Sequence, residues 1–269
     1  MSEEPGSFSS WKTSSCRMNN VNSDRDSTIP QPLPMLGVLG GMGPMATVDF
    51  LAKFVARTPA VNDQGHIPFL VSSNPHIPDR TSAILHNGPS PFADMARGVA
   101  LLDRAGATAL AIPCNTAHHW YEELQAGTRV PIIHIVDAVI EALLAKNLLG
   151  SRVGLLATHG TIQARVYDRR LERLGIETIV PCENDQQRLM GAISAVKAGA
   201  DHHGAQIVSS IAAGLRSRGA GAIILACTEL PLLFPRGAEQ DMVDATEALA
   251  FACVKTLQGK ISLSSAATI

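Results

Sequence analysis

Gly106-Ala-Thr-Ala-Leu-Ala-Ile-Pro-Cys114 and Gly219-Ala-Gly-Ala-Ile-Ile-Leu-Ala-Cys227 align without a gap. In each, a Gly-Ala turn leads into an uncharged aliphatic run and a cysteine follows eight residues after the first glycine. Continuous aliphatic runs bounded by turn residues read as strands buried on both faces, the kind that parallel sheets contain. The repeat extends upstream: Leu36-Gly-Val-Leu-Gly-Gly-Met-Gly43 resembles Val153-Gly-Leu-Leu-Ala-Thr-His-Gly160. Gly37 precedes Cys114 by 77 residues and Gly154 precedes Cys227 by 73, so two halves of one plan follow each other in the chain.

Around these anchors, strands are expected at 35–39, 67–72, 108–112, 131–134, 152–156, 177–180 and 221–225. Helical patterns fall near 45–57, 90–105, 116–126, 137–147, 162–173, 185–197, 203–218 and 243–257. Strand–helix alternation implies parallel sheets with crossover helices. The expected fold class is α/β: two similar parallel-sheet, Rossmann-like domains related by a pseudo-two-fold, with the active site in the cleft between them. Residues 1–34, rich in Ser, Asn, Pro and charge, read as a disordered leader. The first domain is expected to span 35–133 plus 236–258 and the second 134–235, with 259–269 as a frayed tail.

Composition narrows the function. Aromatic residues make up only 4% of 269, so the core must be aliphatic. A net charge of −2 gives no field for nucleic acid or an anionic membrane, which leaves a small ligand as the expected partner. The polar, acidic N-terminal stretch resembles neither a signal peptide nor a transit peptide. Apolar runs break well short of the ~20 residues a bilayer span requires, and a cytoplasmic location is expected. The five cysteines (16, 114, 182, 227 and 253) are scattered without metal-ligand spacing, suggesting reduced thiols, no metal and no disulfide framework.

Cys114 and Cys227 both stand where a strand gives way to the next element, outside the carboxyl ends where open parallel sheets bind ligands. Unpaired N–H groups at a helix start favour thiolate, so both cysteines are expected to be acidic enough for base catalysis. Two thiols flanking one cleft suit inversion at carbon: one removes the α-proton and the other delivers a proton to the opposite face. Thr116 and Thr228 can hold a substrate carboxylate. Gly40-Gly41-Met42-Gly43 lacks the third glycine of a dinucleotide fingerprint, and no pyridoxal-phosphate lysine motif or P-loop is present, so no cofactor is expected.

The segments Gly40–Pro44, Asn74–Thr81, Pro113–His118, Leu155–Thr161, Val196–Gly199 and Ala226–Glu229 together resemble the aspartate/glutamate racemase superfamily, its aspartate racemase branch in particular. That resemblance implies two α/β domains, no cofactor and a homodimer. It implies Cys227 as the base for the L-enantiomer and Cys114 as the base for the D-enantiomer. By motif, Met42, Asn115, Thr116, Thr158, Thr228 and Glu229 would line the substrate, while Arg80 and Lys197 would supply cations for a dicarboxylic amino acid, aspartate preferred. Each has a plainer reading: Arg80 as a surface partner of Asp79, Lys197 as a helix end, Glu229 as a helix-start acid. His118, four residues after Cys114, can tune the thiolate or simply line the core. Alternatives are a hydantoin racemase, maleate isomerase or arylmalonate decarboxylase of the same superfamily, or an amino-acid-binding protein without catalysis.

Overall fold

The computed structural model describes residues 33–148, 152–200, 203–234 and 239–266, with side chains to Gly259. The leader expected over 1–34 therefore lies outside the described residues up to Pro32.

Two four-stranded parallel sheets carry the fold, and both have the same strand order. The first holds β1 (Leu36–Gly40), β2 (Phe69–Ser73), β3 (Ala109–Ala111) and β4 (Ile132–Ile133) in the order β2-β1-β3-β4. The second holds β5 (Arg152–Ala157), β6 (Glu177–Ile179), β7 (Ala222–Ala226) and β8 (Met242–Asp244) in the order β6-β5-β7-β8. The registers repeat too: Leu36 pairs with Ala109 in the first sheet, and Val153 with Ala222 in the second.

The repeated residues do the same work in both halves. Gly106 and Gly219 adopt φ of +90° and +93°, a turn that L side chains resist, so glycine opens β3 and β7 alike. A Cβ on Gly37 would lie 2.6 Å from Leu110 Cδ2, and one on Gly154 the same distance from Ile223 Cδ1. Those two glycines let α3 (Phe92–Arg104) and α9 (Gly204–Ser217) pack close on their sheets.

Alternate strand residues face two different cores. Leu36 and Val38 join Val153, Leu155, Ala222 and Ile224 in one cluster, closed by Leu249 and Cys253 of α10 (Ala245–Ala266). Leu39 and Leu110 face an outer cluster with α3, while Leu156 and Leu225 face another with α9. The two sheets thus share one apolar interior, and α10 packs on both α1 (Pro44–Arg57) and α5 (Ile135–Ala145). Buried Lys53 of α1 bridges to Asp49 and, at 2.6 Å, to Asp244 at the end of β8, tying the halves electrostatically.

Some expectations change. Residues 242–244 form a strand of the second sheet, although 236–258 reads from sequence as part of the first half. Three residues carry too little periodicity to separate from the helix that follows. The helix α10 continues to Ala266, through most of the stretch expected to fray. The helix expected over 162–173 is broken into α6 (His159–Gln163) and α7 (Asp168–Leu171), with Arg165 between them at φ +53°. The span 116–126 is a 3₁₀ turn, Thr116–Trp120, followed by α4 (Tyr121–Ala126). A short helix, α2 (Arg80–Leu85), was not expected; Asp79 caps it by accepting from Ser82 N at 2.7 Å. Among the described residues no helix is long and apolar enough to cross a membrane.

Candidate active site

A cleft opens where β1, β3, β5 and β7 end, and Cys114 and Cys227 both line it. The order of both sheets reverses direction at these strands, so the cleft sits at two topological switch points facing each other. Both thiols are nearly buried, 6% and 5% exposed. The free space is about 20 Å³, room for roughly one water, so the cleft must widen to admit an amino acid. A larger groove, about 530 Å³, runs between α5 and α10, but no cysteine borders it.

The other residues singled out by sequence converge on the same cleft. Met42 comes from the loop after β1, and Thr158 from the end of β5. Asn115 and Thr116 follow Cys114; Thr228 and Glu229 follow Cys227. Arg80 arrives on the first turn of α2, and Lys197 ends α8 (Glu183–Lys197). Asp79 and Thr81, which the reading of the motif did not single out, also line it.

Arg80 is not a surface partner of Asp79, which is engaged as a cap. It is buried, and its Nη1 donates to the carbonyls of Ile77 and Pro78 at 3.1 and 3.0 Å. Those bonds aim the guanidinium, and its Nε has no hydrogen-bond partner among the described residues. Two more buried polar atoms share that condition and belong to cleft residues: Asn115 Nδ2 and Glu229 Oε1. Buried polar atoms are nearly always paired, so three orphans on one cleft mark where a polar ligand would bind. Two are donors and one is an acceptor, the complement of a carboxylate-and-ammonium molecule.

The second cysteine has a carboxylate neighbour. Cys227 Sγ–H donates to Glu229 Oε2 at 3.0 Å, and the Thr228 hydroxyl donates to the same oxygen at 3.3 Å. Burial, reinforced by the Glu229 charge, pushes the Cys227 thiol well above its ordinary acidity range, while Lys197 pulls the other way. The expected thiolate-favouring helix start is weak here, because the element after Cys227 is a 3₁₀ turn, Leu230–Leu233. Lys197 Nζ lies 4.0 Å from Glu229 Oε1. Burial disfavours its charge, but Glu229 and the two cysteines more than compensate and raise its pKa.

Directly after Cys114 a set of neutral hydroxyls crosses the cleft. Thr116 Oγ1 lies 3.0 Å from Thr158 Oγ1 and 2.8 Å from Thr161 Oγ1, a hydroxyl triangle spanning the two halves. His118 does not reach the thiol. Its Nε2 accepts from Ile135 N at 3.2 Å, so its Nδ1 carries the proton and donates to the Cys114 carbonyl at 2.9 Å. Burial lowers its pKa to about 4, which keeps it a neutral clamp holding the cysteine's backbone.

The sequence also matches the family described as Asp/Glu/Hydantoin racemase over residues 39–253. The chain belongs to that family. Among solved structures it is similar to the Picrophilus torridus aspartate racemase, 31% identical, with TM-score 0.75 over 84% of this chain and 94% of that one. Among curated relatives it is similar to the broad specificity amino-acid racemase RacX of Bacillus subtilis, 29% identical over 82% of this chain and 97% of that one. A glutamate racemase from Francisella tularensis in complex with D-glutamate shares the fold, 16% identical with TM-score 0.61, over 87% of this chain and 82% of that one. These findings put the chain in an isomerase family.

Proposed function

We propose that the protein is a cofactor-independent amino-acid racemase acting on aspartate, with Cys114 and Cys227 as its two acid/bases. The observation that carries this reading is the single cleft: two thiols from twin motifs line it together with the three buried atoms of Arg80, Asn115 and Glu229 that make no hydrogen bond.

Glu229 Oε1 takes the substrate ammonium, while Asn115 Nδ2 donates to the α-carboxylate, joined by the Thr228 hydroxyl once it turns from Glu229 Oε2. Arg80 and Lys197 hold the side-chain carboxylate, which is why a dicarboxylic substrate fits best. In the L-to-D direction Cys227 thiolate takes the α-proton and the electron pair moves into the carboxylate as an enediolate. Donors fixed before the reaction stabilise that charge without reorganising. Cys114 then gives its thiol proton to the opposite face, leaving Cys114 as thiolate and Cys227 as thiol. In the resting site Cys227 holds a proton against Glu229, which makes it the ready acid for the D-to-L direction. For the opposite direction that proton must leave to solvent before L-aspartate binds, and the Glu229 charge beside the sulfur raises the pH at which it does so. A homodimer, which the resemblance implies, and a cytoplasmic location, expected from the scattered cysteines and the polar N-terminal stretch, are part of the same reading.

Similarity to RacX supports a second reading, a racemase of broader specificity. Separate incubation of L-Asp, L-Glu and L-Ala in D₂O, followed by chiral chromatography and mass measurement, decides between them. D-aspartate carrying one α-deuterium is the expected product. Comparable turnover of alanine favours the broad reading, and bound amino acid with no α-exchange removes catalysis altogether.

A further inference from the structure

Tyr167 sits between α6 and α7, fully buried, in the second half of the chain. Its hydroxyl donates to Asn115 Oδ1 at 2.6 Å, across to the first half. Burial, with smaller contributions from Asp244 and Cys227, pushes the phenol well above its ordinary range, so it keeps its proton. An asparagine amide has two orientations of nearly equal shape but opposite hydrogen-bonding character. With its oxygen held by a permanent donor, only the NH₂ of Asn115 is left to face other partners, and Nδ2 is the orphan atom of this cleft residue. Flipped, the amide would present a carbonyl to an incoming carboxylate and repel it.

We infer that Tyr167 is a positioning residue: its hydroxyl bond to Asn115 Oδ1 locks the amide so that Nδ2 donates to a substrate carboxylate. This rests on the racemase reading above. The sharp reversal at Arg165 serves that placement, because it carries Tyr167 out of the helical path and under the Cys114 loop. The Thr116–Thr158–Thr161 hydroxyls join the halves at the same loop, so the residue after Asn115 is also tied to the second half.

A double-mutant cycle tests the lock with L-aspartate as substrate. Tyr167→Phe and Asn115→Ala are each expected to raise KM about tenfold, with a smaller change in kcat, as for a lost bond to a charged group. The double variant should be no worse than Asn115→Ala alone, because Tyr167 acts only through that amide. Multiplying effects, or an unchanged KM in Tyr167→Phe, overturn the inference. Should Tyr167→Phe fail to fold, fluorotyrosine can be placed at 167 in a Tyr121→Phe background, since the chain has only two tyrosines. Its more acidic phenol strengthens the bond and should lower KM; an unaltered KM refutes the lock. A wild-type chain that racemises nothing removes the underlying reading, whereas an active wild type with multiplying effects removes this inference alone.

Discussion

Replacing Glu229 by Gln separates its two duties. Its Oε1 is buried and accepts no hydrogen bond, with only Lys197 Nζ 4.0 Å away, and on the proposed reading it receives the substrate ammonium. Its Oε2 accepts the Cys227 thiol proton at 3.0 Å. A hydrogen bond to a charged group is worth about 1.5–3 kcal/mol, which corresponds to a rise in KM of roughly tenfold to a hundredfold. Lys197, 4.0 Å away with its side chain 39% exposed, loses an anionic neighbour but is screened by water and adds little. The thiol responds in a definite direction. A carboxylate beside sulfur disfavours thiolate, so a neutral amide makes Cys227 more acidic. The acidic limb of kcat/KM for L-aspartate should therefore move to lower pH, and for D-aspartate the basic limb, where Cys227 must hold its proton, should move the same way. Initial rates in both directions across pH, read by chiral chromatography, give both quantities. An unchanged KM, or a limb that moves to higher pH, refutes the assignment of Glu229.

Gly160→Ala tests the contact that seats Arg80: its Cβ would lie 2.9 Å from Thr81 Cα, forcing α2 away from α6. KM for L-aspartate should rise several-fold and the melting temperature should fall by several degrees, because the clash is with backbone, and an unaltered KM would mean that α2 does not hold Arg80 in register. Stability should also fall in acid through His118. Its folded pKa, about 4, lies below the ordinary 6.5, so its contribution is fully present above 6.5 and drains away as pH falls toward 4. The loss is on the order of 3 kcal/mol, and urea unfolding at pH 7 and pH 4.5 should show a smaller drop in His118→Asn than in wild type. An equal drop would count against the neutral clamp.

The fold was legible because its repeat is written in residues with one physical use. Gly106 and Gly219 are needed for positive φ, and Gly37 and Gly154 for close helix packing, so both sheets announce themselves. Most cleft residues were legible as motifs next to a strand end, whereas Arg80 and Lys197 come from α2 and α8 and were marked by the family resemblance alone. What escaped depends on contacts between segments distant in sequence. Tyr167 is 52 residues from Asn115, and nothing in Arg165-Val-Tyr-Asp-Arg169 announces a bond across the halves. The same holds for His118, whose spacing from Cys114 suggested the thiol but whose ring binds the backbone instead. The raised Cys227 thiol was also hidden: sequence shows the element that follows a cysteine, not how far burial and Glu229 outweigh it.

The claim that two thiols serve opposite faces of one carbon is tested most directly by α-deuterium exchange in single-cysteine variants. Cys114→Ala should exchange the α-proton of L-aspartate only, and Cys227→Ala that of D-aspartate only, neither producing the other enantiomer. Racemisation at the wild-type rate in either variant, or exchange of both enantiomers by one thiol, would contradict the account.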